Sequence, residues 1–279
     1  MSLYKNSPPK LILSFVCHVD ILGYSQLCQE AIKYDLSNKF LNKVRDALNT
    51  AYARVRENAK GWNQENIFEI KVFTDNIVIG YPLKNDFYHS YGEAELGHIF
   101  DVLSEFQLGL AMEGFLVRGG IAIGEDYMDD DIVFGSALIE AVKQDNSGGA
   151  PKVSLAPSVI DVLKRHLGFY YGPFPAPQTR ILLQDVDDNI FINYRENAFI
   201  GFPEGGVFID VFVKHKDTLT KGLIKNKGIP SVRAKYEWAA RYHNSVINNF
   251  LESNPIPHSP DVDELYACAI LEAQVLKEY

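Results

Sequence analysis

Leu11-Ile12-Leu13-Ser14-Phe15-Val16-Cys17-His18-Val19, continuing into Asp20-Ile21-Leu22-Gly23-Tyr24-Ser25, is the stretch on which the fold turns. The first nine residues are mostly apolar, include Phe and Val, and are short enough for a buried strand. An Asp, a Gly and then a helical pattern follow. A carboxylate at the end of a buried strand is costly to desolvate unless it is paired or holds a cation. Asp20 therefore reads in two ways, as the cap of the next helix or as a ligand. The counterpart is Lys71-Val72-Phe73-Thr74-Asp75-Asn76-Ile77-Val78, where a strand over 66–74 meets a second over 76–83. Asp75-Asn76 reads there as a two-residue hairpin turn, and Asp-Asn is turn chemistry in its own right. Pairing of the two stretches sets Asp20 beside Asp75.

Working outward, two helical patterns cover 24–35 and 36–59, the second with Phe40, Val44, Ala47, Leu48, Ala51 and Val55 along one face. Another helix spans 92–113 and ends at Gly114, placed as a C′ glycine. A strand over 115–124 follows. The order is β, two α, β-β, α, β, which points to an α+β sandwich with helices on one face of a sheet. Asp126–Asp131 reads as a hinge or tip, and Ile132–Gly135 leads into a helix over 136–144. Asp145–Ala150 reads as a loop, with Gly148-Gly149 a turn signal. A strand over 151–156, a helix opening on Pro157, a break at Pro173, Pro175 and Pro177, and a hairpin around Asp185–Asp188 come next. Helices over 207–225 and 230–252 and an amphipathic stretch within 260–279 close the chain. The expected division is a domain over 10–200 and a helical extension over 205–279, packed on or beside it.

Composition narrows the function. The 279 residues are 47% hydrophobic and 23% charged, ordinary for a globular protein. A net charge of −9 argues against a nucleic-acid partner, whose binding needs a basic face. The cysteines, Cys17, Cys28 and Cys268, are odd in number and form no CxxC, which fits a reducing cytoplasm. The first ten residues lack the apolar core of a signal peptide. No apolar run approaches the ~18 residues of a membrane span.

Val19-Asp20-Ile21-Leu22-Gly23-Tyr24 resembles the Asp-Ile-x-Gly-Phe segment of class III nucleotidyl cyclases, and Lys71–Asp75 resembles their Lys-x-x-Gly-Asp hairpin. Gly120-Ile121-Ala122-Ile123-Gly124 with Phe134-Gly135 resembles their Gly-Ile-His-x-Gly strand and Trp-Gly helix start. The three motifs occur in the family's order over residues 10–195. With its helical tail, including Lys235-Tyr236 and Tyr242-His243-Asn244, the chain looks most like the bacterial pyrimidine cyclases of the Pycsar anti-phage systems.

The resemblance implies a ferredoxin-like βααββαβ core and a head-to-tail homodimer with active sites at the interface. It implies attack of a ribose 3′-hydroxyl on the α-phosphate of a nucleoside triphosphate, with loss of pyrophosphate. Two Mg²⁺ or Mn²⁺ ions per site would be held by Asp20, Asp75 and the carbonyl of Ile21, a hard-oxygen donor set. Gly23 and the N–H groups of Tyr24 and Ser25 would face phosphate at a helix start. The expected product is cyclic CMP or cyclic UMP, an anti-phage signal read by a separate effector. An adenylate cyclase, less readily a guanylate cyclase, or an inactive cyclase-fold regulatory module are the alternatives.

Two positions depart from the family. Its purine-reading pair falls on Lys71 and Ile132, and Ile132 can accept nothing from an exocyclic amine. Its transition-state Asn and Arg fall on Ile139 and Lys143. Lys143 keeps the charge without the planar fork, and reads equally as a phosphate cation or a solvated lysine. Arg118 and Lys152 are the other candidate phosphate cations. His18 reads as a satisfied strand histidine, and Asp129-Asp130-Asp131 as a solvated tip. Tyr24, Phe73, Tyr81 and Phe134 read as base-pocket or core aromatics.

Overall fold

The structure, a computed structural model, describes residues 4, 8–60, 68–83, 92–167, 178–196 and 206–253. The proline break at 173–177, the 260–279 stretch, Cys268 and the start of the 66–74 strand lie outside them. The elements are β1 (Ile12–Ile21), α1 (Tyr24–Lys33), α2 (Ser37–Lys60), β2 (Glu69–Phe73), β3 (Asn76–Pro82), α3 (Gly92–Met112) and β4 (Val117–Met128). Then come β5 (Val133–Gly135), α4 (Ser136–Gly148), β6 (Val153–Leu155), α5 (Pro157–Leu167), α6 (Gln178–Ile181), β7 (Leu182–Gln184) and β8 (Ile190–Ile192), and finally α7 (Gly206–Lys225) and α8 (Pro230–Ser253). The chain divides into two compact units, Met1–Tyr194 and Arg195–Tyr279.

The first unit is α+β, and its opening order is β-αα-ββ-α-β. Strands run β2-β3-β1-β4-β6-β8-β7 across one sheet, with β5 folded back on β4. The antiparallel β2-β3-β1-β4 portion has the strand order of a ferredoxin-like fold. β1 lies in its middle, which explains the apolar run: both edges are paired and both faces covered. Phe15, Cys17, Val19 and Ile21 point to one side, where the Phe15 ring meets Phe100 of α3 edge-on at 5.9 Å. Tyr52 of α2 stacks on Phe106 of α3. Each fully buried side chain of this kind contributes roughly 1.5–3 kcal/mol. The other face presents Val16, His18 and Asp20, in register with Gly80, Val78 and Asn76 on β3 and with Ala122, Gly120 and Arg118 on β4. α4 covers that face through Ala137, packed with Val16 and Val78, and Ala141, packed with Ala122.

Several boundaries move from their sequence positions. β1 continues through Asp20 to Ile21, because Asp20 pairs with Asn76 on one side and Arg118 on the other. β4 continues to Met128, so Asp126 lies inside a strand and not at a tip. The hairpin turn is Thr74-Asp75, one residue earlier than expected, since Phe73 and Asn76 already pair. α4 runs to Gly148 and takes in Asp145, which the sequence places in a loop.

The second unit is built from α7 and α8, which pack together. Arg195, with no exposed surface, hydrogen-bonds the Nδ1 atoms of His215 and His243 through Nη1. Its guanidinium lies 4.0 Å from the centre of the Phe212 ring.

Candidate functional site

The site lies at the end of β1 where the chain leaves the sheet. Asp20 is not a helix cap. The N-cap of α1 is Gly23, in the left-handed region at φ 73°, and no side chain bonds the first-turn N–H groups of α1. Those groups, beginning at Tyr24 and Ser25, are left to solvent or a ligand. Ile21 N–H donates to the Asp75 carbonyl at 3.0 Å, and this bond draws the β2–β3 turn up against the end of β1. Asp20 and Asp75 are thereby neighbours. Asp75 raises the electrostatic cost of charge on Asp20.

Asp75 is held by its own turn. The Thr74 hydroxyl lies 2.7 Å from Asp75 Oδ1, and the Asn76 amide donates to the same oxygen at 3.1 Å. Both contacts fall on Oδ1 and leave Oδ2 open. Thr74 sits at φ 59°, a conformation rare for a β-branched residue. It occupies the glycine position of the hairpin motif.

Asp20 is held differently. Arg118 Nε donates to its Oδ2 at 2.8 Å. Burial pushes the Asp20 carboxyl upward, Arg118 pulls it down, and Asp75 and Asp145 push it up again. Arg118 also lies 3.5 Å from Asp145 Oδ1. Asp145 Oδ2 is 3.5 Å from His18 Nδ1, and His18 Nε2 lies 3.0 Å from Asn76 Oδ1. The Asn76 amide bonds Asp75, so its oxygen accepts from the imidazole. His18 is a strand histidine, as read from the sequence, but it is bonded through Nε2 alone, with Nδ1 turned to Asp145, and it belongs to the site. Three carboxylates, Asp20, Asp75 and Asp145, thus surround one guanidinium.

That imbalance is the test of whether a divalent cation fits. Two carboxylates and the Ile21 carbonyl are hard oxygen donors suited to Mg²⁺ or Mn²⁺, which retain water in the remaining positions. Among the described residues no three His, Cys, Asp or Glu side chains converge as a ready-made metal cage. Asp20, Asp75 and Ile21 are the residues that would hold the ion, with water supplying the rest.

The other expected residues divide. Lys71 Nζ lies 3.2 Å from Asp130 Oδ1, so an acceptor stands beside it two residues before Ile132. Ile132 itself is half exposed. Lys143 and Ile139 share the outward face of α4, because residues four apart align on a helix. Lys143 is therefore not part of the Asp20 cluster of its own chain. Lys152 is not available to phosphate, being buried with Nζ on Asp185 at 2.6 Å. Arg118 is committed to Asp20. Tyr81 is core, Phe73 and Phe134 are exposed, and Tyr24 packs on Phe40. Asp129 accepts from the Tyr127 hydroxyl and from the N–H groups of Asp131 and Ile132, an ordered turn more than a loose tip. Sequence reasoning missed Asp145 and Asn76. The spacing Ala137, Ala141, Asp145 was the available signal for the former.

No family model matches the chain, and no curated protein matches it. Among solved structures, it is similar to a class III adenylyl cyclase-like ATP-binding protein from Pseudomonas aeruginosa, at 10% identity and a TM-score of 0.39 over 90% of this chain. The chain spans 46% of the length of that protein. No helix among the described residues is long and apolar enough to cross a membrane.

Proposed function

We propose that the chain is a metal-dependent nucleotidyl cyclase that converts CTP or UTP to the 3′,5′-cyclic monophosphate and pyrophosphate, as a signal in anti-phage defence. The observation that carries the reading is the junction of Asp20 with Asp75, drawn together by the 3.0 Å bond from Ile21 N–H to the Asp75 carbonyl. Bound metal ions would lower the pKa of the attacking 3′-hydroxyl and neutralise the triphosphate. Asp20 and Asp75 would hold them. The uncapped start of α1 after Gly23 supplies N–H donors to phosphate oxygens. The 3′-hydroxyl gives up its proton to water, the new bond joins the 3′-oxygen to the α-phosphorus, and the bond from that phosphorus to the bridging oxygen breaks, releasing pyrophosphate. Lys143, on the outward face of α4, faces a substrate held by a second copy of the chain, which fits a homodimer with shared sites. Pyrimidine preference rests on the apolar Ile132 and on the family resemblance.

A second reading, an adenylate cyclase, is favoured by the Lys71–Asp130 pair. Together they set a donor beside an acceptor, the pairing that a base edge with an amine next to a ring nitrogen requires. The test is incubation of the purified chain with ATP, GTP, CTP and UTP separately, with Mg²⁺ and then Mn²⁺, and chromatography of the products. Cyclic CMP or UMP that disappears in Asp20→Asn and Asp75→Asn is the expected result. Cyclic AMP alone would replace the pyrimidine reading with the adenylate one. No cyclic product from any nucleotide would leave an inactive module of the same fold.

A further inference from the structure

Asp145 has no place in the function just proposed, yet it is aimed at the site from below. α4 can bring it there because β4 carries glycine beneath the helix. A Cβ on Gly120 would lie 2.1 Å from the Ala141 carbonyl oxygen and 2.9 Å from Asp145 N. The helix backbone rests directly on the strand, and Asp145 is only 4% exposed. Its Oδ1 accepts no hydrogen bond. The nearest cation, Arg118 Nε, is 3.5 Å away and bonded at 2.8 Å to Asp20 instead.

We propose that Asp145 is a positioning residue: the second seat for the Arg118 guanidinium, which now bonds Asp20 Oδ2 and is repelled from it when Asp20 ligates a divalent cation. The proposal rests on the metal reading of Asp20 and Asp75. A cation held by Asp20 would draw on the carboxylate that Arg118 now bonds and would set two like charges side by side. Arg118 then needs another acceptor within reach. A movement of roughly 0.6 Å closes the 3.5 Å contact to Asp145 to ordinary hydrogen-bond length. The guanidinium carries five donors in a plane, so it can exchange carboxylates without breaking every bond. On its other oxygen Asp145 faces His18, and through His18 and Asn76 it is linked to Asp75. The residue thus touches the supports of both candidate ligands while coordinating nothing itself.

The experiment is Mn²⁺ binding to the full chain without nucleotide, read by electron paramagnetic resonance, for wild type, Asp145→Asn, Asp145→Glu, Arg118→Met and the Arg118→Met/Asp145→Asn pair. Asp145→Asn removes the second seat and should weaken Mn²⁺ by about 10- to 100-fold, the usual effect of losing an outer partner of a metal ligand. Asp145→Glu should recover most of that loss. Arg118→Met removes the competitor and should bind more tightly than wild type. In that background Asp145→Asn should change affinity by no more than about twofold, the ordinary limit of additivity. Wild-type affinity in Asp145→Asn, or the same loss with and without Arg118, overturns the proposal. If Asp145→Asn does not fold, Arg118→Met still decides, since unchanged or weaker binding there overturns it. Wild type that binds no Mn²⁺ overturns the metal reading beneath it, a separate failure.

Discussion

Asp126 shows what a carboxylate costs when nothing balances it. It lies between β1 and β5, opposite Ile12 and Gly135, with no exposed surface. Oδ1 accepts a long bond from Leu138 N–H at 3.4 Å, and Oδ2 accepts none. Burial pushes its carboxyl up to about 7. In an unfolded chain the same group titrates near 3.9. Between roughly pH 4 and pH 7 the folded state keeps a proton that the unfolded state has lost, so stability falls as pH rises through that window, by up to about 1.4 kcal/mol per pH unit. Asp126→Asn should lose this dependence. Urea unfolding should find the variant more stable than wild type at pH 8, by up to about 4 kcal/mol, and about equal to it near pH 4. Equal stability at both pH values would mean that Asp126 is charged in the fold. Asp20 contrasts with this, since Arg118 partners its charge. Thr74 carries its own cost at φ 59°, of order 1–3 kcal/mol for a non-glycine residue so placed. Its hydroxyl on Asp75 is what a glycine could not supply.

Among the elements, α4 decides whether the site assembles. Its start was legible, because Gly135-Ser136 breaks the strand pattern and a helical period follows. Its end was not. Asn146, Ser147 and Gly148 are poor helix formers, and the last turn is held by packing on β4, which no local signal records. Ending the helix at Gln144 hid Asp145. The same packing makes Gly120 irreplaceable. Gly120→Ala drives a methyl to 2.1 Å from the Ala141 carbonyl, where the obstacle is helix backbone and cannot rotate aside. The expected cost is about 1–3 kcal/mol by urea unfolding, with α4 lifted and Mn²⁺ binding weakened together. Gly97→Ala in α3 is the control, because its new methyl meets nothing within 4 Å. It should be neutral or stabilising by up to about 1 kcal/mol. Equal effects at the two glycines would mean that α4 is not seated on β4 as described.

At the scale of the whole molecule, the β-αα-ββ-α-β order was readable because each element carries its own period and its own stop signal. The β2-β3-β1-β4 order follows once β1 is recognised as apolar on both faces and hence central. The strands β6, β7 and β8 were readable as a strand and a hairpin, but their addition to the edge of this sheet was not. It begins with a parallel pairing of β4 to β6 at Gly119–Val153, a long-range contact between two stretches that each look complete alone. The purpose of the exposed apolar residues was equally hidden. Phe73, Ile132, Phe134 and Ile139 are each about half exposed or more. The Lys71–Asp130 contact brings β2 and the β4–β5 turn to the same end of the sheet. In the proposed homodimer a second copy would cover these side chains, the arrangement in which Lys143 would reach substrate. Light scattering should therefore give the mass of two chains for wild type and of one chain for Phe73→Ser/Phe134→Ser. That variant should lose cyclic-nucleotide formation while keeping Mn²⁺ affinity, because Asp20, Asp75 and Arg118 belong to one chain. A wild type that is monomeric while it turns over nucleotide would remove the second copy from the site and return Lys143 to the solvent.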